Sequence, residues 1–208
     1  MPDIIKAAEI FVINHFNTEL SSKYKYHNLT HTFNTVSEVI KIADYHNLDA
    51  ENKQYLILAG LFHDTGIIIN YFSHERESCT VMERFLKKRQ FSEDKIFIIK
   101  NLILSTCIKL KPVSINEKIL TDADLSYLGS PGFFEGAALL REEWELVLGK
   151  YFNHAEWLQN NINFFNQHHY TTEYAEKFYV PQKKDNLRIL QAELAKLLAF
   201  PQRNYKVS

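Results

Sequence analysis

Cysteine, glycine and proline are all scarce in this chain. Its two cysteines, Cys79 and Cys107, stand far apart and outside any CxxC pair, which excludes a disulfide framework and a thiolate zinc site. Both read as core thiols of a reducing compartment. Six glycines and five prolines in 208 residues, with apolar residues recurring at helical rather than alternating spacing, point to an all-helical protein. An excess of charge of one sign is also missing. Lys and Arg number 24 against 25 Asp and Glu, so no global field would gather nucleic acid or an anionic membrane. No apolar run approaches the roughly 20 residues needed to span a bilayer. The start, Met1-Pro2-Asp3-Ile4-Ile5-Lys6, lacks the basic region and cleavage site of a signal peptide. The expectation is a soluble cytoplasmic protein whose partner is a small molecule, neither a nucleic acid polymer nor a membrane.

The length suits one domain with one sizeable core. An apolar stripe over 3–17 predicts a first helix, and a second runs over about 28–46 with Leu29, Phe33, Val36, Ile40 and Ala43 on one face. Asp49 offers an N-cap to a third helix, with Gly66 expected as its left-handed stop. A fourth helix is expected from about Ser73 to Lys88, and Ser92-Glu93-Asp94 opens a fifth. Ser114-Ile115-Asn116-Glu117 has the spacing of a capping box opening a sixth toward Leu128. Helices of about 133–149, 154–168, 172–178 and 185–200 follow, with Pro181 and Pro201 as stops.

Four segments carry candidate chemistry: Tyr26-His27-Asn28-Leu29-Thr30-His31, Leu61-Phe62-His63-Asp64-Thr65-Gly66, His74-Glu75, and Thr121-Asp122-Ala123-Asp124-Leu125. A lone His-Asp pair means little. With nine histidines and eight aspartates, chance supplies roughly a third of such a pair per chain. The combination says more, because imidazoles and carboxylates suit divalent Zn, Mn and Fe and here fall on three helical segments. His27 and His31 are four apart, so both are expected on one side of a helix start. His63-Asp64 ends a strongly apolar helix, where a charged Asp needs a partner or a cation. Asp122 and Asp124 interrupt an apolar stretch in the same way.

The order His, then His-Asp, then a distant Asp resembles the HD superfamily of metal-dependent phosphohydrolases. Tyr26-His27-Asn28-x-x-His31 and Ala123-Asp124-Leu125-Ser126 are similar to segments of cyclic-nucleotide phosphodiesterases. The resemblance covers about 20–140 and implies an HD-type helical bundle, with about 141–200 as a helical extension. It implies His31, His63, Asp64 and Asp124 as ligands of a divalent ion (Mn, Fe, Zn, Ni or Mg) and His27 facing the leaving group, while Asp64 accepts a proton from water. Asp124 is preferred to Asp122, which reads as an outer neighbour or an ordinary helix residue. Only His74 stands where a second metal would want another histidine, and Thr106-Cys107 lies where one might be sought, so a single ion is the simpler expectation.

A phosphate-binding cation is expected at Arg141 or Lys109, ahead of Arg76 and Lys111, with His74 and Glu75 as further substrate contacts. His154, His168 and His169 read as surface or loop residues. The aromatic pairs Tyr151-Phe152 and Phe164-Phe165 read first as core and second as a wall for a base. The expected activity is metal-dependent cleavage of a phosphoester of a small molecule, a nucleotide first among them, by a monoesterase or a diesterase. The rivals are a di-iron oxygenase on the same fold and a nucleotide sensor without catalysis. Exposed helical faces in the last third leave room for a homodimer, though no residue pattern marks one.

Overall fold

A computed structural model describes residues 2–199. These residues form ten α-helices and two 3-10 turns, with no strand among them. The helices are α1 (Pro2–Glu19), α2 (Leu29–Tyr45), α3 (Ala50–Phe62), α4 (His74–Lys87), α5 (Glu93–Ser105), α6 (Ile115–Asp124), α7 (Phe133–Leu148), α8 (His154–Gln167), α9 (Glu173–Phe178) and α10 (Val180–Ala199). The 3-10 turns are Tyr71–Ser73 and Ser126–Gly129. None of the described helices is long and apolar enough to cross a membrane.

Helix α3 is the axis of the molecule. Tyr55, Leu56, Leu58, Ala59, Gly60, Leu61 and Phe62 are all buried, since α1, α2, α4, α5 and α6 pack around it. From Tyr55 to Phe62 the helix is apolar on every side, so this stretch has no solvated face to prefer and takes the centre of the core. Its start is set by Asp49, whose side chain accepts the Asn52 N–H at 2.8 Å. The capping box at Ser114 and Glu117 is present and fixes the start of α6. These two helices therefore deliver their C-terminal ends, His63-Asp64 and Asp124, to defined places.

Two details differ from the sequence expectation. Gly66 is not a left-handed stop, for among the described glycines only Gly149 has positive φ. It is needed instead for close approach, because a Cβ there would lie 2.3 Å from the Ser78 nitrogen and 2.4 Å from the His74 carbonyl oxygen of α4. Pro181 does not stop a helix either. It sits in the first turn of α10, which begins at Val180 rather than near 185, and a first-turn proline forgoes an N–H that has no helical partner. The sixth helix ends at Asp124 and the chain continues as 3-10 to Gly129. Pro201 lies outside the described residues.

The later helices are tied to the core by buried polar groups. Asp122 accepts the N–H groups of Thr171 (3.0 Å) and Thr172 (2.7 Å), and Thr172 in turn caps α9. Asn186 of α10 donates to the Leu128 and Ser130 carbonyls at 3.0 and 2.9 Å. Asp122 thus clamps the C-terminal helices to α6, with both carboxylate oxygens engaged by Thr171 and Thr172. His168, read as a surface or loop residue, does follow α8 in the loop, with its ring tucked between Phe164 and Tyr170. Both its ring nitrogens are buried without a hydrogen-bond partner.

Asp122→Ala is expected to cost about 1–3 kcal/mol by leaving two buried N–H groups unpaired, visible as a lower urea midpoint. Burial, with Lys183 and His169 nearby, pushes the His168 pKa from 6.5 down to about 3. The unfolded chain takes up that proton near pH 6.5 and the folded one only near 3, so stability is full above 6.5 and falls as pH drops through this window. His168→Phe is expected to narrow the difference between urea midpoints at about pH 7.5 and about pH 5. An unchanged difference would remove His168 as the source.

Candidate metal centre and adjoining cavity

His31 stands in the first turn of α2 because Asn28 caps that helix, its side-chain oxygen accepting the Thr30 and His31 N–H groups at 2.8 and 3.2 Å. His63 continues from the end of α3 in right-handed conformation, and its Nδ1–H donates to the Gly60 carbonyl at 2.8 Å. That bond leaves Nε2 as the free lone pair of the ring. The chain after α3 is held by its own contacts. His15 meets the Thr65 carbonyl at 3.0 Å, the Tyr24 hydroxyl donates to Ile67 (3.1 Å), and Gly66 N–H donates to the Ser78 hydroxyl (2.8 Å).

These constraints bring four side chains to one point. The His31 Nε2 lies 3.2 Å from Asp64 Oδ2 and 3.0 Å from Asp124 Oδ1. The His63 Nε2 lies 3.1 Å from Asp64 Oδ2 and 3.3 Å from Asp124 Oδ1, and the two ring nitrogens face each other at 3.2 Å. The Asp64 side chain is 3% exposed and that of His63 1%. Although its Oδ2 is this close to both rings, it is buried with no hydrogen bond of acceptable geometry. The donors aim at a common centre rather than at one another.

Two imidazole lone pairs and two carboxylate oxygens in that arrangement require a shared positive charge. With no metal the charge is carried by protons. Burial works against a charged His31 ring, but the Asp124 and Asp64 carboxylates outweigh it and raise its pKa to about 9. Burial likewise opposes a charged His63, and the same pair of acids raises it. Burial would raise both Asp64 and Asp124, and the two histidines hold them below the usual carboxylate range instead. Asp64 follows the C-terminal end of α3 and Asp124 closes α6, so both helix dipoles add negative potential. A mixed nitrogen and oxygen set of this kind fits Zn, Mn, Fe or Ni, and His31, His63 and Asp124 offer ligand atoms all within 4.8 Å of one another.

Beside the cluster is a residue that the sequence did not single out. Glu143 of α7 is fully buried, and its carboxylate accepts from the Tyr26 N–H (2.8 Å), the His27 N–H (3.0 Å), the Tyr71 hydroxyl (2.8 Å) and the His27 Nδ1. Burial raises its pKa, but the His27 ring and the backbone donors more than offset that and lower it. With Nδ1 committed to Glu143, the His27 ring is left with Nε2 for chemistry. His27 thus precedes the helix rather than lying on it, and both it and His31 still border the same cavity. No local signal marks Glu143, which stands between Glu142 and Glu145 and beside the stripe of Phe133, Ala137, Leu140 and Trp144 rather than on it.

The cavity over the cluster has a volume of about 620 Å³. Its inner end holds His27, His31, Asp64, Asp124, His74 and Glu75. His74 donates through Nδ1 to the Tyr71 carbonyl at 2.9 Å and places Nε2 3.4 Å from Asp64 Oδ1. The outer wall includes Trp144, Trp157 and Phe164, so Phe164 borders the site while Phe165 is core. Arg141 and Lys109 are not among the lining residues. The Arg141 side chain is engaged by Glu145 (3.3 Å) and the Phe152 carbonyl, and Lys109 is solvent-exposed. Neither therefore lines the cavity, although each adjoins a lining residue, Leu140 for Arg141 and Ile108 for Lys109.

A family model described as "HD domain" matches residues 28–126. A search of curated proteins gives no match. Among solved structures, one titled a predicted HD superfamily hydrolase from an uncultured Thermotogales bacterium aligns at TM-score 0.62 and 18% identity, over 92% of this chain and 91% of that one. A protein from Listeria innocua aligns at 0.61 and 18% identity, over 95% and 94% of the two chains. One from Lactobacillus plantarum aligns at 0.68 and 14% identity, over 96% and 99%. At such identities the likeness is one of fold. The match over 28–126 includes His31, His63, Asp64 and Asp124, so the chain carries an HD domain over those residues.

Proposed function

We propose that the protein is a phosphohydrolase that cleaves a phosphoester of a small molecule, a nucleotide first among the candidates. The observation that supports this most is the juxtaposition, at the inner end of one cavity, of the His31, His63, Asp64 and Asp124 cluster with a His27 ring oriented by Glu143. Those four side chains would hold the divalent ion. When bound, the ion supplies positive charge that polarises a phosphoryl oxygen and acidifies water.

The rest is done by the chain. The Asp64 Oδ1, directed toward His74, accepts a proton as the water oxygen bonds to phosphorus. The bond from phosphorus to the ester oxygen breaks, and the departing oxygen takes a proton from the His27 Nε2. Glu143 is a positioning residue here, since it fixes which His27 nitrogen faces the cavity. Tyr26 and Tyr127 flank the His31 side of the cluster, their rings 5.3 Å apart, and help to keep it dry.

Phosphate release from nucleotides and simpler phosphoesters, by protein loaded in turn with Mn, Fe, Zn, Ni and Mg, tests the reading. Turnover is expected with at least one metal and should disappear in Asp64→Ala. Iron-dependent oxygen uptake without phosphate release would favour the oxygenase instead, and saturable nucleotide binding without turnover would favour a sensor. His27→Ala should lower kcat for an alkyl phosphate by about 10²–10⁴-fold with metal stoichiometry unchanged. The loss should be much smaller for an aryl ester whose leaving oxygen needs no proton. Equal losses on both esters would remove His27 from the role of acid.

A further inference from the structure

The cavity is unusual for a site that handles phosphate, since no lysine or arginine is among the described residues that line it. Its ionisable groups are three histidines and three acids, Asp64, Asp124 and Glu75, with three tyrosines. A divalent ion offsets the two aspartates and leaves Glu75. There is thus no surplus positive charge beyond the ion itself, and every phosphate added to a substrate brings further negative charge into a partly buried space without a partner. Two cations lie against the rings of the outer wall without lining the cavity. Arg141 lies over the Trp157 ring and is engaged by Glu145 and the Phe152 carbonyl, and Lys150 sits over the Trp144 and Phe72 rings.

The outer wall has a different chemistry, supplied by α7 and α8, beyond the 28–126 match. Along α8 the residues Trp157, Asn160, Phe164 and Gln167 follow one another at spacings of three, four and three, so aromatic rings and carboxamides alternate down the face that borders the cavity. Trp144 of α7 meets Trp157 edge to face at 5.6 Å. Asn161 and Asn163 are already used, one donating to the Trp157 carbonyl and the other accepting from Gln159. The Asn160 and Gln167 side chains make no hydrogen bond to the described residues and remain free to bind. A carboxamide carries a donor pair and an acceptor on one uncharged group, which matches the edge of a heterocycle with ring nitrogens and carbonyls, while indole and phenyl faces pack on its plane.

We infer that the site selects esters carrying one phosphate group and an uncharged planar heterocycle, with the phosphate at the His31 and Asp124 end, the ring against Trp144, Trp157 and Phe164, and its edge read by Asn160 and Gln167. Polyphosphates are turned away. The inference rests on the phosphoester reading above for the placement of the phosphate, and the ring wall and the missing cations extend it to a substrate class.

Both tryptophans of the chain border the cavity, so intrinsic fluorescence reports occupancy without any need for turnover. Metal-loaded His27→Ala protein is titrated with the common ribonucleoside monophosphates, the matching triphosphates and ribose phosphate. At least one monophosphate should bind about tenfold more tightly than its triphosphate and than ribose phosphate. Replacing both exposed carboxamides, by Asn160→Ala with Gln167→Ala, should weaken that monophosphate about tenfold and leave ribose phosphate unchanged. A triphosphate bound as tightly as its monophosphate, ribose phosphate bound as tightly as any nucleotide, or no loss in the double variant would each overturn the inference. Selective binding with no phosphate release by the wild type would leave the inference standing and sink the hydrolase reading. Release without selectivity would do the reverse.

Discussion

Two carboxylates at the ends of two helices, facing two imidazoles inside a protein, form a set of charges that cannot rest without a cation. Asp64 follows α3 and Asp124 ends α6, and their oxygens come within 3.0 to 3.3 Å of the His31 and His63 Nε2 atoms. Much of the surrounding structure serves to hold this arrangement. Asn28 caps the helix that carries His31, the Gly60 carbonyl orients His63, and Gly66 lets α4 close over the turn that follows Asp64. The burial that raises the cost of the unpaired charges also makes a divalent ion there a strong local field.

Glu143 links this centre to the later helices. It belongs to α7, outside the 28–126 match, yet it binds the backbone and ring of His27 and the hydroxyl of Tyr71. The later helices therefore do more than cover the core. They set the orientation of the histidine beside the His31, His63, Asp64 and Asp124 cluster and supply Trp144, Trp157, Asn160 and Gln167 to the cavity. Asp122 and Asn186 attach them through buried hydrogen bonds to α6 and the turn after it.

What could be read from sequence follows from the range of the interactions. Helix starts at Asp49 and Ser114 were legible because a cap and its N–H lie three residues apart. The segments holding His63, Asp64, Asp122 and Asp124 stood out because charged groups in apolar stretches are costly without a partner, while the choice of His31, His63, Asp64 and Asp124 as one set came from the resemblance to the HD superfamily. Glu143 was not legible, since its partner His27 is 116 residues away and the acid stands among Glu142 and Glu145, where nothing local distinguishes it. Arg141 looked like a phosphate clamp only while the Phe152 carbonyl, 11 residues on, was out of view. Gly66 and Pro181 misled because each residue type has a second use, close approach in one case and a first helical turn in the other.

The centre itself is open to direct measurement by X-ray absorption at the metal edge of protein reconstituted with one equivalent of zinc. The account predicts a shell of nitrogen and oxygen donors at about 2.0–2.2 Å with the multiple scattering of two imidazoles, reduced to one in His31→Ala. A shell of oxygens alone, a sulfur contribution from Cys79 or Cys107, or a spectrum unchanged in His31→Ala would contradict it.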